Sequence, residues 1–121
     1  MILPRYAAHY VFAGKDLILR KSYIERSSDA LVLSPLTEEI EHTLFYNGIL
    51  IPLAATTPFT CQEVLLTLQQ NQAQDNQLSI FANLSMTLGA YITTDVNAQI
   101  WLLEANLVTL QLRTDSTIII L

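Results

Sequence analysis

Apolar and polar positions alternate over Arg5–Phe12, with Tyr6, Ala8, Tyr10 and Phe12 on one side and Arg5, Ala7, His9 and Val11 on the other. A period of two predicts a half-buried strand. Gly14-Lys15-Asp16 supplies a turn and residues 17–25 return as a second extended segment. Ser27-Ser28-Asp29 then turns the chain toward residues 30–33 and a stop at Pro35. Asn47-Gly48 stands between two apolar runs, Leu44-Phe45-Tyr46 and Ile49-Leu50-Ile51. Both central residues of a type I′ turn need φ > 0, so this dipeptide predicts a tight hairpin. Pro52, which has no N–H to give a ladder, is expected to end it.

The period changes after residues 53–59, a linker of small residues with Pro58 near its end. Thr60-Cys61-Gln62-Glu63 has the pattern of a capping box, and Cys61, Val64, Leu65 and Leu68 recur at i, i+3, i+4 and i+7. That spacing predicts an amphipathic helix with one buried stripe. Residues 69–77 are nearly all amides, which predicts a fraying helix end, with Asp75 or Asn76 capping a second helix that carries Leu78, Ile80, Phe81 and Leu84. Beyond Gly89 the strand pattern returns at residues 91–94 and 99–104, where the unbroken run Ile100-Trp101-Leu102-Leu103 predicts burial on both faces. Val108, Leu110 and Leu112 alternate with Thr109, Gln111 and Arg113, and Thr114-Asp115-Ser116 turns into residues 117–121. The last two segments therefore read as a hairpin.

Phe45-Tyr46-Asn47-Gly48-Ile49-Leu50-Ile51-Pro52 resembles the segment by which metal-dependent amidohydrolases pass from a small β-sandwich, their composite domain, into the first strand of a TIM barrel. Tyr6-Ala7-Ala8-His9-Tyr10-Val11-Phe12 is similar to the opening strand of that domain, and residues 99–104 and 108–121 to the strands that complete it after the barrel. The resemblance implies a mainly β, α+β fold with two short helices, a composite-domain-like sandwich built from both ends of the chain. It divides one domain, 1–121, into N-terminal strands (1–52), a linker where the barrel would be (53–59), a helical segment (60–88) and C-terminal strands (89–121). A barrel typically needs about 250 residues, and this chain has 121 in all. The family's metal-binding His-x-His pair would follow Pro52, where Leu53-Ala54-Ala55-Thr56-Thr57 stands instead.

Composition adds to this picture. The chain is 51% hydrophobic and 14% charged, with mean hydropathy +0.36, which means either a dense core or an apolar surface that a partner covers. No apolar stretch approaches the roughly 18 residues of a membrane span, and Met1-Ile2-Leu3-Pro4-Arg5 lacks the regions of a signal peptide. A cytoplasmic protein is expected. Net charge is −5 and residues 27–112 carry only acids among their charges, so no basic stripe exists for a phosphate backbone and nucleic acid is not an expected partner.

Candidate chemistry is sparse. The only histidines are His9 and His42, the first on a strand face and the second after the acidic segment Glu38-Glu39-Ile40-Glu41, which reads as an exposed loop. Cys61, the only cysteine, sits at a helix N-terminus that can lower a thiol pKa, and equally at the first position of the buried stripe. With glycines only at 14, 48 and 89 there is no phosphate-binding loop, and no G-x-S-x-G elbow is present. No catalytic residue, metal or cofactor is expected. The expected function is a non-catalytic structural or protein-interaction module. Two alternatives stand beside it, an accessory subunit completing a separately encoded metal-dependent hydrolase and a small-ligand-binding domain. A homo-oligomer or protein partner is expected to dock on Leu66, Ile80 and Phe81, side chains that one buried helix stripe leaves over.

Overall fold

A computed structural model describes residues 4–37 and 43–121. The fold is mainly β, of the α+β type, with two α-helices and one six-stranded mixed sheet. Strands β1 (Arg5–Phe12), β2 (Ile18–Arg26), β3 (Leu31–Pro35), β4 (Thr43–Leu53), β5 (Gln99–Leu103) and β6 (Ile118–Ile120) lie in the order β3-β2-β1-β4-β5-β6. β1 and β4 run parallel and every other neighbouring pair is antiparallel. Helices α1 (Cys61–Gln74) and α2 (Ile80–Leu88) follow β4.

The sheet is buried on both faces. On one, Val64 and Leu68 of α1 and Ile80, Leu84 and Leu88 of α2 pack onto Phe12, Ile49, Ile51, Trp101 and Leu103. On the other, Ala8, Val11, Ile24, Leu31, Leu50, Ile100 and Leu102 form a second core. Residues 92–98 close one end of this second core, bridging from Leu53 at the end of β4 to Ala30 just before β3. The Arg26 guanidinium pins them there by donating to the carbonyls of Val96 and Ala98. The run Ile100-Trp101-Leu102-Leu103 divides between the two cores, Trp101 and Leu103 facing the helices and Ile100 and Leu102 the far side. That is the burial expected of it.

β1 forms over the residues its alternation marks, but its faces do not stay constant. Tyr6 and Ala8 belong to the far core, whereas Tyr10 and Phe12 belong to the helix-side core. The switch occurs at His9, where the register against β4 shifts from Ala8↔Tyr46 to Tyr10↔Ile49. One residue of β1 therefore opposes two of β4, Asn47 and Gly48, and opposite on β2 Lys21 takes the left-handed φ of 43°. A period-two pattern cannot reveal such a bulge, because Tyr, Ala and Phe are tolerated on either face.

The expected hairpin at Asn47-Gly48 does not form. β4 runs straight through both residues and through Pro52 to Leu53. Gly48 is not in a positive-φ conformation; a Cβ there would fall 2.5 Å from the Leu103 carbonyl oxygen, so glycine permits β5 to approach. Pro52 is tolerated for a reason of parity. Ile100 and Glu104 of the β5 segment exchange bonds with the β6 side, so Trp101 and Leu103 face β4 and bond with Ile51 and Ile49. The missing N–H of Pro52 thus points away from β5, and its carbonyl accepts from the Thr93 N–H at 3.3 Å.

Hydrogen bonds, some tertiary and some local, correct four further expectations. The amide-rich end of α1 remains helical to Gln74. Asn71 Nδ2 donates to Asn83 Oδ1 at 2.9 Å, and Gln72 clamps the backbone of Leu112, accepting at 2.7 Å and donating at 3.3 Å. Asp75 becomes the C-cap of α1, while Ser79 caps α2 by accepting from the Ala82 N–H. In the tail, residues 108–112 do not form a strand. Asn106 Oδ1 accepts from the N–H groups of Val108 and Thr109, Leu110 takes φ 55°, and the Leu110 carbonyl accepts from Ile80 N–H at 2.7 Å. A local side-chain turn outcompetes the ladder here. Residues 91–94 form no strand either: Tyr91 ends a 3₁₀ turn that starts at Gly89, and Ile92 makes an isolated bridge to Leu53.

The capping box is present as its spacing predicts. Thr60 Oγ1 accepts from Glu63 N–H at 3.1 Å and Glu63 Oε1 from Thr60 N–H at 3.0 Å. The backbone bond from Thr60, then the hydroxyl bond, hold the Glu63 carboxyl below its ordinary pKa. A lowered folded pKa adds stability above the ordinary glutamate range that is lost as pH falls through the folded value. Thr60→Ala is expected to cost about 1 kcal/mol and to flatten that acid-side loss. Urea titrations of both proteins at neutral and acid pH check it; equal midpoints would refute the cap's contribution.

Candidate functional site

The groups able to do chemistry are scattered. His9 lies exposed at the bulge with its ring edge-on to Phe45, 5.2 Å between centroids. Burial raises the Cys61 thiol above its ordinary pKa despite a backbone hydrogen bond that opposes the shift, so the helix N-terminus does not yield a ready thiolate. His42 and the acidic residues Glu38, Glu39 and Glu41 lie outside the described residues. Among the described residues, no three His, Cys, Asp or Glu side chains are grouped as metal ligands would be.

The groove between the helices is equally committed to the fold. It has a volume of about 390 Å³ and is lined by Phe59, Val64, Thr67, Met86 and Thr87 together with Glu63 and Asn71. Glu63 is engaged in the capping box and Asn71 bonds to Asn83 and Thr87. Asn83, buried between the helices, is itself satisfied, its Nδ2 donating to the Leu68 carbonyl at 2.8 Å. The two asparagines tie α1 to α2 and Glu63 closes the cap of α1, leaving the groove an apolar contact surface.

The three side chains expected to meet a partner separate. Leu66 is 54% exposed on α1, but Ile80 is 1% exposed within the helix-side core. Phe81 is half-buried, stacked on Phe12 at 6.0 Å and edge-on to Tyr10 at 5.1 Å. Ile80 points inward because it shares one face of α2 with Asn83, Leu84 and Leu88, at i, i+3, i+4 and i+8, and that face is the buried one. Of the three, only Leu66 presents most of a large apolar side chain to solvent.

Other apolar surface is conspicuous. Leu44 and Phe45 are about half-exposed on the part of β4 that precedes its pairing with β5. Met86 is exposed at the helix groove. On the edge strand β6, Ile119 and Ile120 are 49% and 51% exposed. The sequence places these isoleucines in the second segment of a terminal hairpin. Only the strand order reveals that they lie at the rim. No helix among the described residues is long and apolar enough to cross a membrane. No family model matches the chain, and searches of curated proteins and of solved structures find no match.

Proposed function

We propose that this chain is a non-catalytic, amidohydrolase-like composite domain that acts as a protein-interaction module. The observation that carries the reading is a contrast on one molecule. In the groove between the helices the polar groups are used up by a helix cap and interhelical bonds, while large apolar side chains stand exposed at Leu44, Phe45, Leu66, Met86, Ile119 and Ile120. Catalysis needs free, convergent polar groups, whereas binding another protein needs apolar surface that leaves water. The similarity of residues 45–52 to the amidohydrolase segment supports the composite-domain half of the reading, and the absence of a His-x-His pair after Pro52 supports its non-catalytic half.

The test is hydrolysis of a panel of amide and cyclic amide substrates by the intact chain, supplied with zinc or manganese. No turnover above the metal-only control is expected. Turnover that saturates with substrate and is abolished by a chelator would overturn the reading.

A further inference from the structure

We infer that the outer edge of β6 is a self-association site, at which two copies of the chain pair as antiparallel strands and join their sheets. This names the partner for the interaction-module reading and rests on it. Leu121 N–H donates to the Ile100 carbonyl and Glu104 N–H to the Thr117 carbonyl, both at 2.9 Å. Odd-numbered residues of this strand therefore bond to β5, and alternation turns the N–H and C=O groups of Ile118 and Ile120 outward. Among the described residues those groups have no partner.

The other end of the sheet is blunted at both ends of β3, which leaves only Leu33 with a free outward N–H among its described residues. Leu36 N–H bonds to the Lys21 carbonyl, so even positions of β3 face β2 and Leu31, Leu33 and Pro35 face outward. The Leu31 N–H is taken by the Thr94 carbonyl and Pro35 has none, which blunts that edge as proteins commonly do. β6 has no proline, charge or bulge to do the same.

A second copy fits this edge by symmetry. Pairing Ile118 with the partner's Ile120 about a two-fold axis brings each outward N–H to an outward carbonyl and closes both hydrogen-bonded pairs. The same register sets Ile119 against its own copy on one face and Ile120 beside the partner's Ile118 on the other. Each apolar side chain thus meets another, and β6 brings no charge to repel its copy despite the net charge of −5. Three residues a side bury less than the roughly 1,200–2,000 Å² of a standard interface, so the dimer is concentration-dependent.

Sedimentation equilibrium of the intact chain, from low micromolar to about 1 mM, tests this, with dissociation constants in that range expected. Ile120→Pro removes an outward N–H and spares the ladder to β5; Ile119→Lys places like charges together at the axis. Each is expected to weaken association at least about tenfold, with far-UV circular dichroism unchanged. If Ile120→Pro disturbs the fold, Ile119→Lys alone decides. A wild type that stays at 13.6 kDa throughout would overturn the proposal, leaving the interaction module to a different partner. So would variants that associate like wild type while Leu66→Lys does not. Metal-dependent turnover would instead overturn the module reading and leave the edge pairing standing.

Discussion

Trp101→Ala is expected to lower stability by about 3–5 kcal/mol, the range for truncating a buried large aromatic. Trp101 is fully buried at the centre of the helix-side core, on the strand held by β4 on one side and β6 on the other. Its indole Nε1–H donates to Gln99 Oε1 at 3.1 Å, so truncation also strips that acceptor of its partner. Domains of this size have about 5–15 kcal/mol in total, so the loss is a large fraction of it. Because this is the chain's only tryptophan, urea unfolding must be followed by circular dichroism. Trp101→Phe keeps most of the volume and is expected to fall between the two. A loss below about 1 kcal/mol for alanine, with the slope unchanged, would mean that the core does not close around this residue.

The second large effect is expected at Gly48, with Gly89 as an internal control. An alanine Cβ at 48 would lie 2.5 Å from the backbone oxygen of Leu103 and 3.1 Å from Leu102 Cδ1, beside the Ile49↔Leu103 pair. A backbone carbonyl in a ladder cannot swing aside as a side chain can, and the expected cost is about 1–3 kcal/mol. At Gly89, which has right-handed helical angles, the nearest atom to an added Cβ is Ser85 Oγ at 3.6 Å. Alanine there is expected to be neutral or to stabilise by about 0.4–1 kcal/mol through the unfolded chain. Denaturant midpoints of the two variants, measured together, should move in opposite directions or differ clearly. Equal shifts would refute the close-approach reading of Gly48.

The features legible in the sequence are those decided within a few residues. The span of β1, the capping box at Thr60 and Glu63, and the stripe of Val64 and Leu68 all follow from local spacing. The apolar run in β5 was readable because only a strand buried on both faces needs four large apolar residues together. Where a residue's role depends on a distant neighbour, the local signal pointed elsewhere. Asn47-Gly48 is a turn dipeptide in isolation, yet β1 and β5 flank it and use glycine's missing side chain for clearance. Pro52 is a terminator in isolation, but the side on which it lacks a donor is set by the parity of pairing two strands away. The amides of α1 frayed on propensity until Asn83 and Leu112 supplied partners.

The candidate surface was less legible than the fold. Leu66 was identified from its position off the helix stripe, and it is exposed. Ile80 lies inside because Asn83, Leu84 and Leu88 complete the buried face of α2 around it, and the exposure of β6 is hidden because being an edge is a property of strand order. No pattern within Ile118-Ile119-Ile120 distinguishes a central strand from a rim.

The proposed role has this chain work through its surface and not through a metal-dependent centre. Elemental analysis of the intact protein, purified without chelators and dialysed, tests it most directly. Zinc, iron and manganese are all expected well below one atom per chain. A stoichiometric metal that a chelator removes together with a hydrolytic activity would contradict it.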